Sequence, residues 1–331
     1  MDESILNALE LFDSSAPKVA IMQVLYDDSG GSEALLQLLL GFHSWMPSRT
    51  FLINTNVLSS LQKNQWFDHG YTELAEVKSM NENDLKAGDV YIIPNIITCP
   101  KYLVDRGVRV YIWQISRNTG GVAEEVATNI KAGCKYISHN FYCAHQDGLN
   151  LDRSHIMIPY IRKEKIQFGL LSNERREDLI LLNFDPQGKG TAELSKLLES
   201  YCRLRKEPCK IITLKDIAPN EKRLLYERSK IIVGHCVHGS ERTLIEAALS
   251  GTVLLLNLCD NGEDTRDFPI PREHIYSERN TITDIVDEVL RNFEQEQAKL
   301  NGFRSLYKSY GPESLAQDTK RFFFDIMSSD S

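Results

Sequence analysis

From residue 18 onward the chain alternates short, almost wholly apolar runs with longer stretches in which apolar residues recur at helical spacing. The runs KVAIMQVL, RTFLIN, DVYIIPN, VRVYIWQI and CKYISHN, with the helical stretch GGSEALLQLLLGFHSW between the first two, make up one series. Strands apolar on both faces, without polar alternation, predict a parallel sheet covered by helices on either side. A second series begins near residue 178: DLILLNF, TAELSKLLESYCRL, CKIITL, NEKRLLYERS, KIIVGHCV, SERTLIEAALS, TVLLLN and TITDIVDEVLRNFEQEQAKL. The βαβα order recurs, so the pattern predicts two Rossmann-like, doubly wound α/β domains. The charged stretch IPYIRKEKIQFGLLSNERRE joins them, giving boundaries at 1–162 and 163–302, and the helical segment 303–331 is expected to return to the N-terminal domain.

The composition is globular: 331 residues, 42% hydrophobic and 25% charged. A net charge of -8 argues against nucleic acid as a partner, because phosphate binding needs clustered excess cations. The acidic N-terminus is unlike a signal peptide, and no run of about 18 uncharged apolar residues exists to span a membrane. A cytoplasmic protein is expected. Seven scattered cysteines without a CxxC pair or zinc spacing predict reduced thiols.

Ligands of doubly wound domains bind at the carboxyl ends of the strands, in this case in a cleft between two facing halves. Three stretches there carry candidate chemistry. Gly30 and Gly31, in DDSGGSE after the first strand, are a plain βα turn or a place where backbone N–H groups meet a ligand. Lys189, in NFDPQGKG, is a solvated turn lysine or a point charge for a phosphate; no P-loop spacing accompanies it. The stretch HGSERTLIEAALSG starts a helix at Ser240, so Gly239, Ser240 and Glu241 present backbone N–H groups and the positive dipole end. Four-residue spacing puts Arg242 and Glu246 on one side of that helix, as a surface ion pair or as a carboxylate accepting hydrogen bonds from the vicinal hydroxyls of a ribose. His238 lies just ahead of them.

These stretches resemble the GT-B glycosyltransferases, specifically the retaining enzymes of glycosyltransferase family four, whose E-G-F-G-L-x-x-x-E-A-x-A-x-G-x-P-V segment is matched by HGSERTLIEAALSGTVLLL at Gly239, Glu246, Ala247 and Gly251. In order along the chain, GGSEALLQLLLGF is similar to the family's G-G-A-E helix, and NFDPQGKG to its G-R-L-x-x-x-K-G. The resemblance implies that Glu246 binds the donor ribose and Lys189 the diphosphate. His238 stands where the family has its first glutamate, beside the transferred sugar, and with Lys189 is the catalytic candidate. Phe184 replaces the arginine that accompanies the lysine, and Gln114 replaces an N-domain histidine on the acceptor side.

The expected activity is sugar transfer from a UDP- or GDP-type nucleotide sugar to a glycan or other hydroxyl-bearing acceptor. It is expected to be retaining, with no cofactor and no metal. A nucleotide-sugar-binding protein without turnover, and a nucleotide-sugar epimerase, stand beside it. A dehydrogenase is disfavoured by the lack of a glycine fingerprint in either half.

Overall fold

The structure is a computed structural model that describes residues 16–23, 30–54, 71–115, 122–145, 148–162, 166, 176–183, 191–207, 209–215, 217–235, 242–258, 265–277 and 279–329. Two compact units result, Met1–Tyr160 with Tyr310–Ser331, and Ile161–Ser309.

The first unit is built on strands β1 (Val19–Gln23), β2 (Thr50–Asn54), β3 (Lys78–Met80), β4 (Val90–Pro94), β5 (Arg109–Gln114) and β6 (Lys135–Ser138). They form one parallel sheet in the order β3-β2-β1-β4-β5-β6. Alternate residues supply separate cores. Val90 and Ile92 of β4 and Tyr111 and Trp113 of β5 face one cluster, and Tyr91, Ile93, Val110 and Ile112 face the other. Both faces are buried, which is why the strands read as unbroken apolar runs.

The first of these cores is closed by α1 (Gly30–His43) and the C-terminal helix, here α11 (Pro312–Ser328). Gly41 permits the contact: a Cβ there would lie 3.2 Å from Leu315 Cγ and from Thr319 Cγ2. Phe322 packs edge-on against Tyr111 with ring centroids 4.9 Å apart, Trp45 Nε1 donates to Thr319 Oγ1 at 3.1 Å, and Arg153 pairs with Asp318 at 3.0 Å. The other face carries the short helix α2 (Lys101–Asp105) and the longer α3 (Val122–Lys131), with Leu103 and Val126 in its core, while α4 (Phe141–Ala144) packs in a separate small cluster with Ile156 and Ile158.

The second unit holds β7 (Glu177–Leu182), β8 (Lys210–Thr213), β9 (Ser229–Gly234), β10 (Val253–Asn257) and β11 (Ile275–Tyr276), parallel and ordered β11-β10-β9-β7-β8. Its helices are α5 (Thr191–Leu204), α6 (Pro219–Arg228), α7 (Arg242–Leu249), α8 (Arg279–Arg291), α9 (Phe293–Lys299) and α10 (Asn301–Ser309). Two parallel α/β units are therefore present, as the hydrophobic pattern predicts. Hydrophobicity gives no sign of β3 or β11: β3 is a three-residue, largely solvent-facing edge, and β11 has two residues.

One expectation is corrected. Cys99 and Cys134 are joined in a disulfide, with Cα atoms 6.2 Å apart across 35 residues of sequence. The sheet brings the segment after β4 beside the residue that opens β6, a proximity that linear spacing does not reveal.

Phe322→Ala should lower the stability of the first unit by about 3–5 kcal/mol, the usual cost of deleting a buried aromatic ring. Urea unfolding followed by tryptophan fluorescence measures it, and a loss below about 1 kcal/mol would mean that α11 is not part of this core.

Candidate functional site

In the second sheet β9 and β8 flank β7 on opposite sides, so the connections from β7 and β9 diverge there. This is the strand order of a flavodoxin-like sheet, and its crevice lies beyond the carboxyl ends of the two strands where the direction of winding reverses. The strands are locked together up to that edge: Leu182 pairs with Val233, and the Asn183 N–H donates to the Val233 carbonyl at 3.0 Å. Two of the candidate stretches follow directly. Phe184 and Lys189 come after β7, and His238, Gly239, Ser240 and Glu241 after β9; all six lie outside the described residues. The topology thus starts both stretches from neighbouring strands at the same end of the sheet.

Helix α7 carries the remaining donor-side candidates. Arg242 Nε donates to Glu246 Oε1 at 2.8 Å, with side-chain exposures of 16% and 20%. The ion pair foreseen as the bland reading does form, but it is largely shielded from solvent. Oε2 of Glu246 has no hydrogen-bond partner among the described residues and remains available as an acceptor. Under the pair sits Tyr226, whose phenol is held far above its ordinary pKa by burial and then by the charge of Glu246. It stays protonated at any physiological pH.

The helix is fixed from its opposite end. Gly251, at φ +98°, takes the left-handed turn that closes the helix, the Thr252 N–H reaching the Ala247 carbonyl and the Gly251 N–H that of Ala248. The exposed carbonyls are then taken up by side chains. Arg304 Nε donates to Ala248 O at 2.9 Å, Gln297 Nε2 to Gly251 O at 2.7 Å, and Arg176 Nη2 to Ser250 O. Burial draws both guanidinium pKa values down to about 10, which leaves them charged.

Next to the β9 edge lies a pair that sequence reasoning missed. Tyr276 donates its hydroxyl proton to Gly234 O at 3.1 Å, so the 3.0 Å contact with His235 Nδ1 requires that nitrogen to be the donor. His235 is thereby held in one tautomer as the chain leaves the sheet. The only sequence signal was a histidine and a tyrosine at the ends of predicted strands.

In the first unit, Gly30 and Gly31 are the first two residues of α1, and the backbone of Gly31 needs no special conformation. A Cβ on Gly31 would meet Ile115 Cγ2 at 3.6 Å, an ordinary contact. The start of α1 is therefore beside the end of β5, where Gln114 is the last residue and buried. The Gln114 carbonyl accepts from His139 Nδ1 at 2.9 Å. His139, also missed by the sequence reading, is drawn down to a pKa of about 4 by burial, which the Gln114 hydrogen bond only partly opposes. Glu33, in the first turn of α1, accepts from the Tyr71 hydroxyl and so belongs to the packing of its own unit.

No family model matches the sequence, and no curated protein matches it. Solved structures do resemble it. A glycosyltransferase from Rickettsia africae ESF-5 aligns with a TM-score of 0.61 at 10% identity, covering 94% of this chain and 99% of that one. An α,α-trehalose 6-phosphate synthase from Burkholderia multivorans aligns with a TM-score of 0.59 at 8% identity, covering 96% and 100%. A variant of S. aureus TarM, in complex with fondaparinux, alpha-GlcNAc-glycerol and UDP, aligns at 0.52 and 10% identity over 72% of this chain and 56% of that one. The chain has the GT-B glycosyltransferase fold. Among the described residues no helix is long and apolar enough to cross a membrane.

Arg304→Met should destabilise the second unit by about 3 kcal/mol, because it removes the charge-assisted hydrogen bonds that the buried guanidinium gives to the carbonyls of Ala248 and Gln297. Chemical denaturation tests this, and an unchanged midpoint would show that the two guanidinium bonds add no net stability.

His139 gives a pH dependence. Its folded pKa lies below the unfolded value, so the unfolded chain takes up a proton that the native one refuses as pH falls from about 6.5 towards 4. Stability is full above that window and is lost within it. At pH 5 the loss relative to pH 7 should be about 2 kcal/mol greater in the parent than in His139→Gln, measured by urea titration at both pH values. Parallel losses in the two proteins would contradict a buried neutral imidazole.

Proposed function

We propose that this protein transfers a glycosyl group from a nucleoside-diphosphate sugar to an acceptor hydroxyl, and that the second unit holds the nucleotide. The observation that carries the proposal is Glu246: a shielded carboxylate with one oxygen committed to Arg242 and the other available, on the helix that follows a strand at the sheet's switch point. Such an oxygen accepts hydrogen bonds from the paired hydroxyls of a ribose. The fold likeness to glycosyltransferases and to a trehalose 6-phosphate synthase supports the same reading, as does the UDP bound by the TarM variant.

In the reaction the bond from the anomeric carbon to the diphosphate oxygen breaks and a bond to the acceptor oxygen forms. The acceptor proton ends on the departing phosphate if configuration is retained. On the sequence resemblance we assign stabilisation of the charge on the leaving diphosphate to Lys189, with backbone N–H groups of Gly239, Ser240 and Glu241 expected to add to it and no divalent cation required. His238 positions the transferred sugar, and Gln114 lies on the acceptor side. We assign the family-four pattern and the retaining outcome on the sequence resemblance alone.

A second reading, binding of a nucleotide sugar without transfer, is favoured by His238 and Phe184 in place of an acid and an arginine. One set of measurements separates the two. Calorimetry with UDP, GDP and the corresponding nucleosides should show Glu246→Gln weakening every ligand by about 1.5–3 kcal/mol, the range for a hydrogen bond to a charged group. Lys189→Ala should weaken only the diphosphates. Release of free nucleotide from a sugar donor signifies transfer chemistry, an isomerised donor signifies an epimerase, and tight binding without turnover signifies the second reading. Unchanged affinity in Glu246→Gln would sink the assignment of the site itself.

A further inference from the structure

The second unit also carries a reactive pair that glycosyl transfer does not use. Cys202 lies in the last turn of α5 and Cys209 directly precedes β8, and their Sγ atoms are 3.0 Å apart. Both are half-buried and neither is in a disulfide, in contrast to Cys143, which is buried in the first unit. A disulfide needs a separation of about 2.05 Å, so closing the pair takes a movement of only about 1 Å. Helix and strand are already placed for it. The turn that joins them is anchored by Arg205, which lies over the Tyr201 ring and 3.8 Å from Asp178 of β7.

We propose that Cys202 and Cys209 are a reversible thiol–disulfide site, oxidised by a small disulfide of the glutathione class. The charge of Arg205 acts on both sulfurs. The Cys202 thiol is held below its ordinary pKa, first by the proton it shares with Cys209 and then by Arg205, whereas the Cys209 thiol is raised. Cys202 is therefore the attacking thiolate. It displaces one glutathione from oxidised glutathione and forms a mixed disulfide. Cys209 then attacks the Cys202 sulfur, expels the second glutathione and completes the Cys202–Cys209 bond. Two electrons pass from the protein thiols to oxidised glutathione, and the two thiol protons finish on the two glutathione molecules. A thiol reductant reverses both steps.

The test uses the whole chain. The protein is reduced, incubated with oxidised glutathione, alkylated, and digested without further reduction for mass spectrometry. The expected product is a peptide pair linked through Cys202 and Cys209, about 2 Da lighter than the two thiol forms. Cys209→Ser should stop at a glutathione adduct on Cys202, about 305 Da heavier, because no second thiol is present to expel it. Cys202→Ser should leave Cys209 largely alkylatable. Complete alkylation of both cysteines in the parent, or a link from either one to a different cysteine, would overturn the proposal; equal glutathionylation of Cys209 in Cys202→Ser would overturn the order of attack.

Discussion

The placement of the Arg242–Glu246 pair depends on the capture of backbone carbonyls by buried guanidinium groups at the closed end of α7. A helix of eight residues is too short to persist alone, and its last carbonyls have no partners within the helix. Arg304 reaches the Ala248 carbonyl, and Gln297 and Arg176 reach those of Gly251 and Ser250 just beyond the helix, all from positions far away along the chain. Burying two guanidiniums is expensive, and the cost is met because each charge lands on several carbonyl oxygens: Arg176 also donates to Tyr226 O and Ser229 O, and Arg304 to Gln297 O. These contacts bind the ends of α6 and α7 and the start of β9 into one block. Glu246 and Arg242 project from that block, so their direction is set by residues that never touch a ligand.

The two sheets reach the same layered form through different windings. The first follows the order 3-2-1-4-5-6 in its own strand count, and the second is ordered like a flavodoxin sheet. The consequence lies in what borders each carboxyl edge. In the first unit the start of α1 approaches Ile115, and His139 and Gln114 are tied together beneath it. In the second, β7 and β9 end side by side, and His235 is held by Tyr276 as β9 ends.

The long buried strands were legible in the sequence because burial on both faces leaves no polar position to break the run, as in Val90–Pro94 and Val253–Asn257. The edge strands Lys78–Met80 and Ile275–Tyr276 were not, since an edge is defined by its neighbour's backbone and needs no apolar signature. In the site, the spacing of Arg242 and Glu246 foretold their contact, because four residues on a helix fix it locally. His139, His235, Arg176 and Arg304 were invisible for the opposite reason. Each acts through a contact made across the fold: His139 with Gln114, His235 with Tyr276, and Arg304 and Arg176 with carbonyls at the end of α7 that are 56 and 74 residues distant. The Cys99–Cys134 link was hidden in the same way.

The Arg242–Glu246 pair is arranged against local helix stability. A cation at the start of a helix opposes the macrodipole, a penalty of about 0.3–1 kcal/mol, and the order cation-then-anion is the weaker of the two i,i+4 arrangements. Reversing the two residues would make a better isolated helix. Their placement becomes intelligible if the start of α7 meets an anion. A guanidinium there adds to the dipole where a diphosphate would lie, and the carboxylate one turn further on restrains the guanidinium and keeps an oxygen for a neutral hydroxyl-bearing group. Positive charge first and acceptor second is the sequence of needs along a nucleotide from phosphate to ribose. The pair that looks like a surface ion bridge in the sequence would thus serve the proposed nucleotide site at the expense of the helix.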